Sequence, residues 1–373
     1  KNITTIMDLN IKAVFPGKYI QGQGVLKDLP NLIGLFGKKG LIIASPSAKE
    51  KILPLYGNEM NSIQVERFNG ECCEEELNRM ANLIKKDGID VVIGIGGGKT
   101  IDTAKISADR AGIPVIIVPT IASTDAPCSG CAVTYTNEGV FKSVYYQKMN
   151  PSIVLVDMNV IAAAPVRFLV SGMGDALSTW FEARSCERTQ SKNECGGLST
   201  RAGLYLAKAC YETLLEYGVQ SMRDNEMHIV SPSLNYITEA NILLSGIGFE
   251  SSGLAAAHSI HNGLTALEET HSFYHGEKVA FGVLAGLQLT NAPAEEVEAV
   301  FSFCEKVGLP TTFADIGIQN TSRDYLMKAA ENACIPDSAI HHEEGKITPQ
   351  KVLDAMIKAD ALGNARKVAD GCY

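Results

Sequence analysis

Residues 91–95 form an unbroken apolar run that leads into Gly94-Ile95-Gly96-Gly97-Gly98-Lys99-Thr100 and then into a helical pattern over 100–111. A strand with no polar alternation has to be covered on both faces, which is the situation of a parallel sheet layered with helices. The surrounding chain repeats the arrangement. Residues 41–44, 65–68, 115–118 and 153–156 read as further short strands. Residues 74–86 place Leu77, Met80, Leu83 and Ile84 at helical spacing. Strand and helix in alternation imply an α/β domain built on a mostly parallel sheet. One departure is expected: residues 131–136 and 141–146 flank Asn137-Glu138-Gly139, a hairpin signal.

After Ala162-Ala163-Ala164-Pro165 the texture changes. Helical patterns occupy 169–187, 199–217, 235–244, 254–267, 278–289, 294–307 and 349–360. The reading is therefore an α/β domain over 1–165 and an all-α domain over 166–373, with a site in the cleft between them, where ligand pockets tend to form.

Composition excludes several classes. Charged residues make up 20% and hydrophobic residues 46% of the chain, which excludes bulk disorder. No run of 18 uncharged apolar residues occurs, so no membrane partner is expected. Residues 1–11 alternate polar and apolar and lack the apolar block of a signal peptide. The net charge is −9 with no basic block, so no nucleic-acid partner is expected. Ten cysteines are scattered, with Cys128-Ser129-Gly130-Cys131 the lone C-x-x-C, as in a reduced, cytoplasmic chain.

The glycine segment follows a strand and opens a helix, so its N–H groups can hold an anion such as a phosphate. It fits neither common phosphate motif. A P-loop needs glycine at position 93, which is Ile93, and G-x-G-x-x-G from Gly94 needs glycine at Lys99. A second loop, Pro119 to Pro127, follows the next strand, where open α/β sheets bind ligands. It carries hydroxyls at Thr120, Ser123 and Thr124 and a carboxylate at Asp125, suited to a polyol or a ribose phosphate.

Four of the seven histidines, His258, His261, His271 and His275, fall within 18 residues. His258 and His261 share a helix face at i and i+3, while His271 and His275 stand at i and i+4. Asp175, in Gly172-Met173-Gly174-Asp175-Ala176-Leu177, offers a carboxylate. Two histidines and a carboxylate with an open position suit catalytic zinc, and the same donors could hold iron.

At this point the residues resemble a known family. Gly96-Gly97-Gly98-Lys99-Thr100-Ile101-Asp102-Thr103-Ala104-Lys105, the loop from Pro119 to Cys128, Gly174-Asp175-Ala176-Leu177, the stretch from Gly248 to Gly263, and Tyr274-His275-Gly276-Glu277-Lys278 are similar to the glycerol dehydrogenases. These form the zinc-dependent branch of the iron-containing alcohol dehydrogenase superfamily, with a dehydroquinate synthase-like fold. The resemblance runs from Gly17 to about Gly363. It implies Asp175, His258 and His275 as zinc ligands, His258 standing also in the catalytic set. It implies Gly97, Gly98 and Lys99 at the pyrophosphate of NAD and Asp102 near the nicotinamide. Thr120, Ser123, Ser129, Cys131 and Tyr135 would line the cofactor cleft, and Asp125 would orient the substrate hydroxyls. His261 and His271 match no ligand.

Two departures stand out. Iron-dependent relatives carry a histidine four residues after the aspartate, where this chain has Thr179, and three ligands favour zinc. Glycerol dehydrogenases similar to this chain place an acidic residue at Ser45 to hold the adenosine ribose. A serine cannot repel a 2′-phosphate, so NADP is not excluded. The implied activity is NAD-linked oxidation of glycerol and small vicinal diols to the ketone, dihydroxyacetone from glycerol, with zinc as Lewis acid and hydride passing to nicotinamide C4. A homo-oligomer, an octamer by resemblance, is also implied. The alternative is a dehydroquinate synthase-type lyase using NAD and a metal. Its phosphorylated, carboxylated substrate asks for arginines and lysines, and residues 250–277 contain none.

Overall fold

The computed structural model describes residues 10–369 and residue 371. The N-terminal alternation read in the sequence falls outside these residues up to position 9. By internal packing the chain forms two compact units.

One unit comprises Val14–Leu169 and Gln220–Gly246. Its strands are β1 (Lys18–Gly22), β2 (Gly40–Ala44), β3 (Gln64–Arg67), β4 (Val91–Gly96), β5 (Val115–Pro119), β6 (Cys131–Tyr135), β7 (Phe141–Tyr146) and β8 (Ile153–Asp157). Six of them form one sheet in the order β1-β8-β5-β4-β2-β3, and every pairing in it is parallel. β6 and β7 form the expected antiparallel hairpin. The strands β2, β4, β5 and β8 are buried along their whole length, as their unbroken apolar runs require. Ile42, Ile93, Ile116, Val118, Ile153 and Leu155 share one core cluster with Leu26, Leu29 and Tyr56. β1 was not expected from the sequence. It is a half-exposed edge strand, Lys-Tyr-Ile-Gln-Gly, with no apolar run to betray it.

Strand order reverses at β2. The chain moves outward to β3, then returns to β4 on the other side of β2. In open α/β sheets that reversal opens a crevice at the carboxyl ends of the strands, where ligands bind. Ser45 directly follows β2 and the glycine segment closes β4, so both stand at this switch point. The following helix spans Gly98–Ala111, two residues earlier than the periodicity suggested, so Gly98 and Lys99 form its first turn.

The helical segment 220–246 packs with the sheet. Asn225 Nδ2 donates to the carbonyls of Ala162 at 3.1 Å and Ile161 at 3.4 Å. Asn241 Nδ2 donates to those of Ala122 at 3.0 Å and Leu169 at 3.1 Å. The expected helix over 235–244 is an α-helix, Pro232–Glu239, capped by the Ser231 hydroxyl, continued by a π-helical turn, Ala240–Leu244.

The other unit comprises Val170–Val219 and the chain from Ile247 onward, with a short N-terminal stretch ending at Ala13. It is helical. Val166–Thr189 enters it, and Arg201–Glu226 leaves it. Ala256–Leu264, His275–Leu289, Ala294–Val307, Arg323–Ala333 and Pro349–Ala369 complete its main framework. Arg323–Ala333 was not expected, and the last helix is longer than the 349–360 pattern. Phe281 and Phe313 meet in the core at 5.1 Å between ring centroids. Among the described residues no helix is long and apolar enough to cross a membrane.

Candidate functional site

Three helices of the helical unit cross at glycines. A Cβ on Gly276 would lie 1.7 Å from the Ser171 carbonyl oxygen, and one on Gly174 would lie 2.3 Å from that of Gly276. The helices Val166–Thr189 and His275–Leu289 therefore touch backbone to backbone. A Cβ on Gly282 would lie 2.4 Å from the Ala257 carbonyl oxygen, which brings Ala256–Leu264 equally close. Asp175, His275 and His258 each follow or precede one of these contact residues by one position, so the crossings deliver all three side chains to one point.

The three make the one group of potential metal ligands found among the described residues, with their ligand atoms within 4.8 Å of one another. Asp175 Oδ1 lies 3.3 Å from His258 Nε2 and 3.2 Å from His275 Nε2. Ligands at zinc-like bond lengths of about 2.0–2.2 Å in tetrahedral geometry stand roughly 3.3 Å apart, so the spacing fits a metal ion. Asp175 is 1% exposed while His275 keeps 38% of its side chain exposed, so the group is closed behind and open on the histidine side. Burial works against the Asp175 carboxylate, yet His275 and His258 hold its pKa well below the ordinary value. Burial likewise opposes a charged His258, but Glu182 and Asp175 hold its pKa well above the ordinary value.

The other two histidines of the cluster stand apart from this group. His261 is buried beside it, its ring 4.3 Å from that of His275, and its Nδ1 meets Asn262 Oδ1 at 3.0 Å. Burial, then His275 and His258, keep its pKa well below the usual histidine value. His271 is exposed, with Nε2 at 2.8 Å from the Thr265 carbonyl. Thr179, one turn beyond Asp175, is buried, and its Cγ2 comes within 2.7 Å of where a Cβ on Gly248 would stand. Gly248 is thus kept free of a side chain by Thr179, which places a hydroxyl and a methyl, not an imidazole, one turn from Asp175.

In the sheet unit the glycines have two distinct jobs. A Cβ on Gly94 would lie 2.6 Å from Ala104 Cβ, and one on Gly96 would lie 2.9 Å from Ser45 Cβ, so these two allow close packing. A Cβ on Gly98 would meet nothing within 4 Å. The helix start therefore faces open space with its N–H groups outward, which suits an anion. Lys99, beside it, pairs with Glu71 at 2.7 Å and lies 4.6 Å from the centre of the Tyr135 ring. Burial, followed by Asp102 and Glu71, pushes the Tyr135 hydroxyl up to about 12.

Asp102 is buried on the same helix. Its Oδ2 accepts from Val133 N at 3.0 Å, and its Oδ1 is buried with no partner. Burial raises its pKa to about 6 against the pull of Lys105 and the Val133 N–H. Lys105 is fully buried. Its ammonium donates to the Ala126 carbonyl, to Ser129 Oγ at 3.2 Å and to the Cys131 carbonyl at 3.0 Å. The lysine thus ties the loop after β5 to the helix that carries Asp102. Thr120 is anchored by its own N–H to the Gly96 carbonyl at 3.1 Å, and Ser123 is half-buried in the same loop. Ser129 is enclosed, and Cys131 Sγ lies 3.4 Å from its hydroxyl. Asp125 is buried, with Oδ2 accepting from Ser245 Oγ at 2.6 Å. Ser45 turns its hydroxyl to Ala48 N at 3.2 Å.

Two charged residues were given no role in the sequence reading. Glu182 follows Asp175 by seven positions and Thr179 by three, so a polar stripe at i, i+4 and i+7 on an apolar helix marks it. Lys105 stands three residues after Asp102, a buried pair of opposite charges on one helix face.

A family model for iron-containing alcohol dehydrogenase matches residues 16–158. The chain is 50% identical to a glycerol dehydrogenase of Thermotoga maritima, over 95% of this chain and 98% of that one. It is 47% identical to a glycerol dehydrogenase of Citrobacter freundii, over 93% and 96% of the two chains. The solved structure of glycerol dehydrogenase from Schizosaccharomyces pombe superimposes with a TM-score of 0.92 at 34% identity, covering 98% of this chain and 94% of that one. The chain belongs to the iron-containing alcohol dehydrogenase family.

Proposed function

We propose that this chain oxidises glycerol, and small vicinal diols like it, with NAD and a zinc ion held by Asp175, His258 and His275. The observation that carries the reading is the convergence of one carboxylate and two imidazoles at tetrahedral-edge spacing in a chain whose full-length relatives are glycerol dehydrogenases. Thr179 supports zinc over iron, since it stands where iron-dependent relatives carry a histidine and leaves three protein ligands. When bound, zinc supplies a Lewis acid that lowers the pKa of a substrate hydroxyl toward neutrality.

The residues do the rest. The first turn at Gly97, Gly98 and Lys99 holds the pyrophosphate, with Lys99 exchanging Glu71 for phosphate oxygens. Asp102 Oδ1, a buried acceptor without a partner, fits the carboxamide N–H of a nicotinamide, and leaving such an acceptor unmade costs about 1–3 kcal/mol. Thr120, Ser123, Ser129, Cys131 and Tyr135 line or brace the cofactor's place. Asp125, steadied by Ser245, accepts from a substrate hydroxyl. Held there, NAD would supply the acceptor for the hydride of the alcohol C–H while the O–H proton went to water, so the overall balance would be alcohol and NAD to ketone, NADH and a proton.

NAD is the working cofactor of this reading, with NADP admitted by Ser45. A homo-oligomer and a cytoplasmic location belong to the same proposal. The lyase alternative is not favoured. Steady-state turnover of glycerol with NAD, together with zinc analysis of the purified protein, tests the proposal. Turnover without zinc in the protein, or none with glycerol, overturns it.

A further inference from the structure

We infer that Glu182 is the positioning residue that fixes the orientation and tautomer of His258, so that His258 offers Nε2 to the metal. The inference rests on the metal-site reading above. Glu182 is 1% exposed and projects from the same helix as Asp175, two turns further on. Its two oxygens meet three donors. Oε1 accepts from the backbone N–H of His258 at 2.8 Å and of Ala255 at 3.0 Å, and Oε2 lies 2.7 Å from His258 Nδ1.

A carboxylate facing Nδ1 can only accept, so Nδ1 carries the proton, and with a metal ion between His258 and Asp175 it is Nε2 that is left to offer its lone pair. Nε2 is the atom 3.3 Å from Asp175 Oδ1. One side chain therefore sets three things: the backbone at residue 258, the rotation of the ring, and which nitrogen is free to bind. Carboxylate–histidine–metal relays of this kind usually change metal affinity when the carboxylate is lost.

A neighbouring carboxylate serves as the internal comparison. Glu343 holds the same helix start, accepting from Ala256 N at 3.1 Å and from Ser185 Oγ at 2.7 Å. No hydrogen bond links it to His258. If the carboxylates only secure this helix start, the two glutamates should behave alike.

Glu182→Gln keeps the shape but cannot serve three donors. If its oxygen faces the backbone, its NH2 faces Nδ1 and drives the proton to Nε2. If it flips, the NH2 confronts two N–H groups.

The test is chelator competition for zinc on metal-free protein, with cobalt(II) absorption of the reloaded protein as a second readout. Glu182→Gln should weaken zinc binding roughly 10- to 100-fold and change the cobalt ligand-field bands, while the metal-free fold persists. Glu343→Gln should lower the melting temperature and leave zinc affinity within about twofold of wild type, well inside that range. Equal zinc affinity in Glu182→Gln and wild type, or equal losses in the two variants, overturns the inference. Should Glu182→Gln not fold, nitrogen NMR of 15N-histidine-labelled, zinc-loaded wild type decides it. A protonated Nδ1 on His258 is expected, and an unprotonated one overturns the inference. Asp175→Ala separates the two levels. If that variant loses zinc and Glu182→Gln does not, the metal site stands and the positioning role falls. If Asp175→Ala keeps zinc, the metal site itself is wrong.

Discussion

The glycine turn of the sheet unit and the three-helix crossing of the helical unit both depend on glycine, for opposite reasons. At Gly98 the missing side chain leaves space, since a Cβ there meets nothing within 4 Å. At Gly174, Gly276 and Gly282 it permits contact, since a Cβ there would fall between 1.7 and 2.4 Å from a backbone carbonyl oxygen. The first arrangement leaves backbone donors available to a large, mobile ligand. The second locks helices together so that a small ion meets donors at fixed distances. One is a surface kept vacant, the other a junction with no slack, and their responses to substitution should differ accordingly.

The largest effect belongs to the junction. Gly276→Ala drives a methyl into the Ser171 backbone, which cannot move without its helix. We expect a loss of about 4 kcal/mol or more, or no soluble protein, in chemical denaturation. A stable, zinc-replete Gly276→Ala protein would break the comparison.

Asp175→Ala removes the proposed ligand and its contacts to His258 and His275, but none of the backbone-to-backbone contacts of the junction. Zinc should be absent after gel filtration while the far-UV circular dichroism is unchanged. Full zinc occupancy would refute the assignment.

Asp125→Asn tests substrate selection. Wild type should favour 1,2-propanediol over 1-propanol by roughly 10- to 100-fold in kcat/KM, and the variant should lose more on the diol. Equal losses on both substrates would remove Asp125 from specificity.

Asp102→Asn turns on pH. The folded chain holds the Asp102 proton to about pH 6, chiefly through burial, whereas the unfolded chain releases it near pH 4. The folded state therefore binds the extra proton, and wild-type stability falls as pH rises through that window, then levels off. The asparagine variant escapes this fall. It should gain about 1–3 kcal/mol on wild type between pH 4 and pH 7, read by urea denaturation of the cofactor-free protein. A constant difference across the range would show that the carboxyl is not strained.

Gly98→Ala sharpens the comparison from its other end. Alanine is the better helix former, so cofactor-free stability should stay level or rise by up to about 1 kcal/mol. NAD titration should show weaker binding, because the methyl occupies ligand space. A stability loss on the scale of Gly276→Ala would mean that the turn, too, is a contact.

Much of this was legible in the residues. Unbroken apolar runs at 91–95, 115–118 and 153–156 can be buried only by helices on both faces, so they announced the parallel sheet and most of its strands. The half-polar edge strand β1 carried no such mark. Long ordered motifs identified the family, and Asp175, His258 and His275 were nominated before any geometry was known. The tertiary structure decided what periodicity cannot carry. Periodicity tells which face of a helix is apolar, not which helix it will meet. Nothing local distinguishes His275 from His271. The difference arises because Gly276 sits against Ser171, a partner more than 100 positions away. The helical pattern of 220–246 resembles its neighbours, yet Asn225 and Asn241 find their carbonyl partners in the sheet unit. Glu182 and Lys105 look like ordinary charged positions until folding removes their water. Only then must each oxygen or ammonium hydrogen find a partner inside the protein, and that demand places one behind His258 and the other beneath the loop at Ser129.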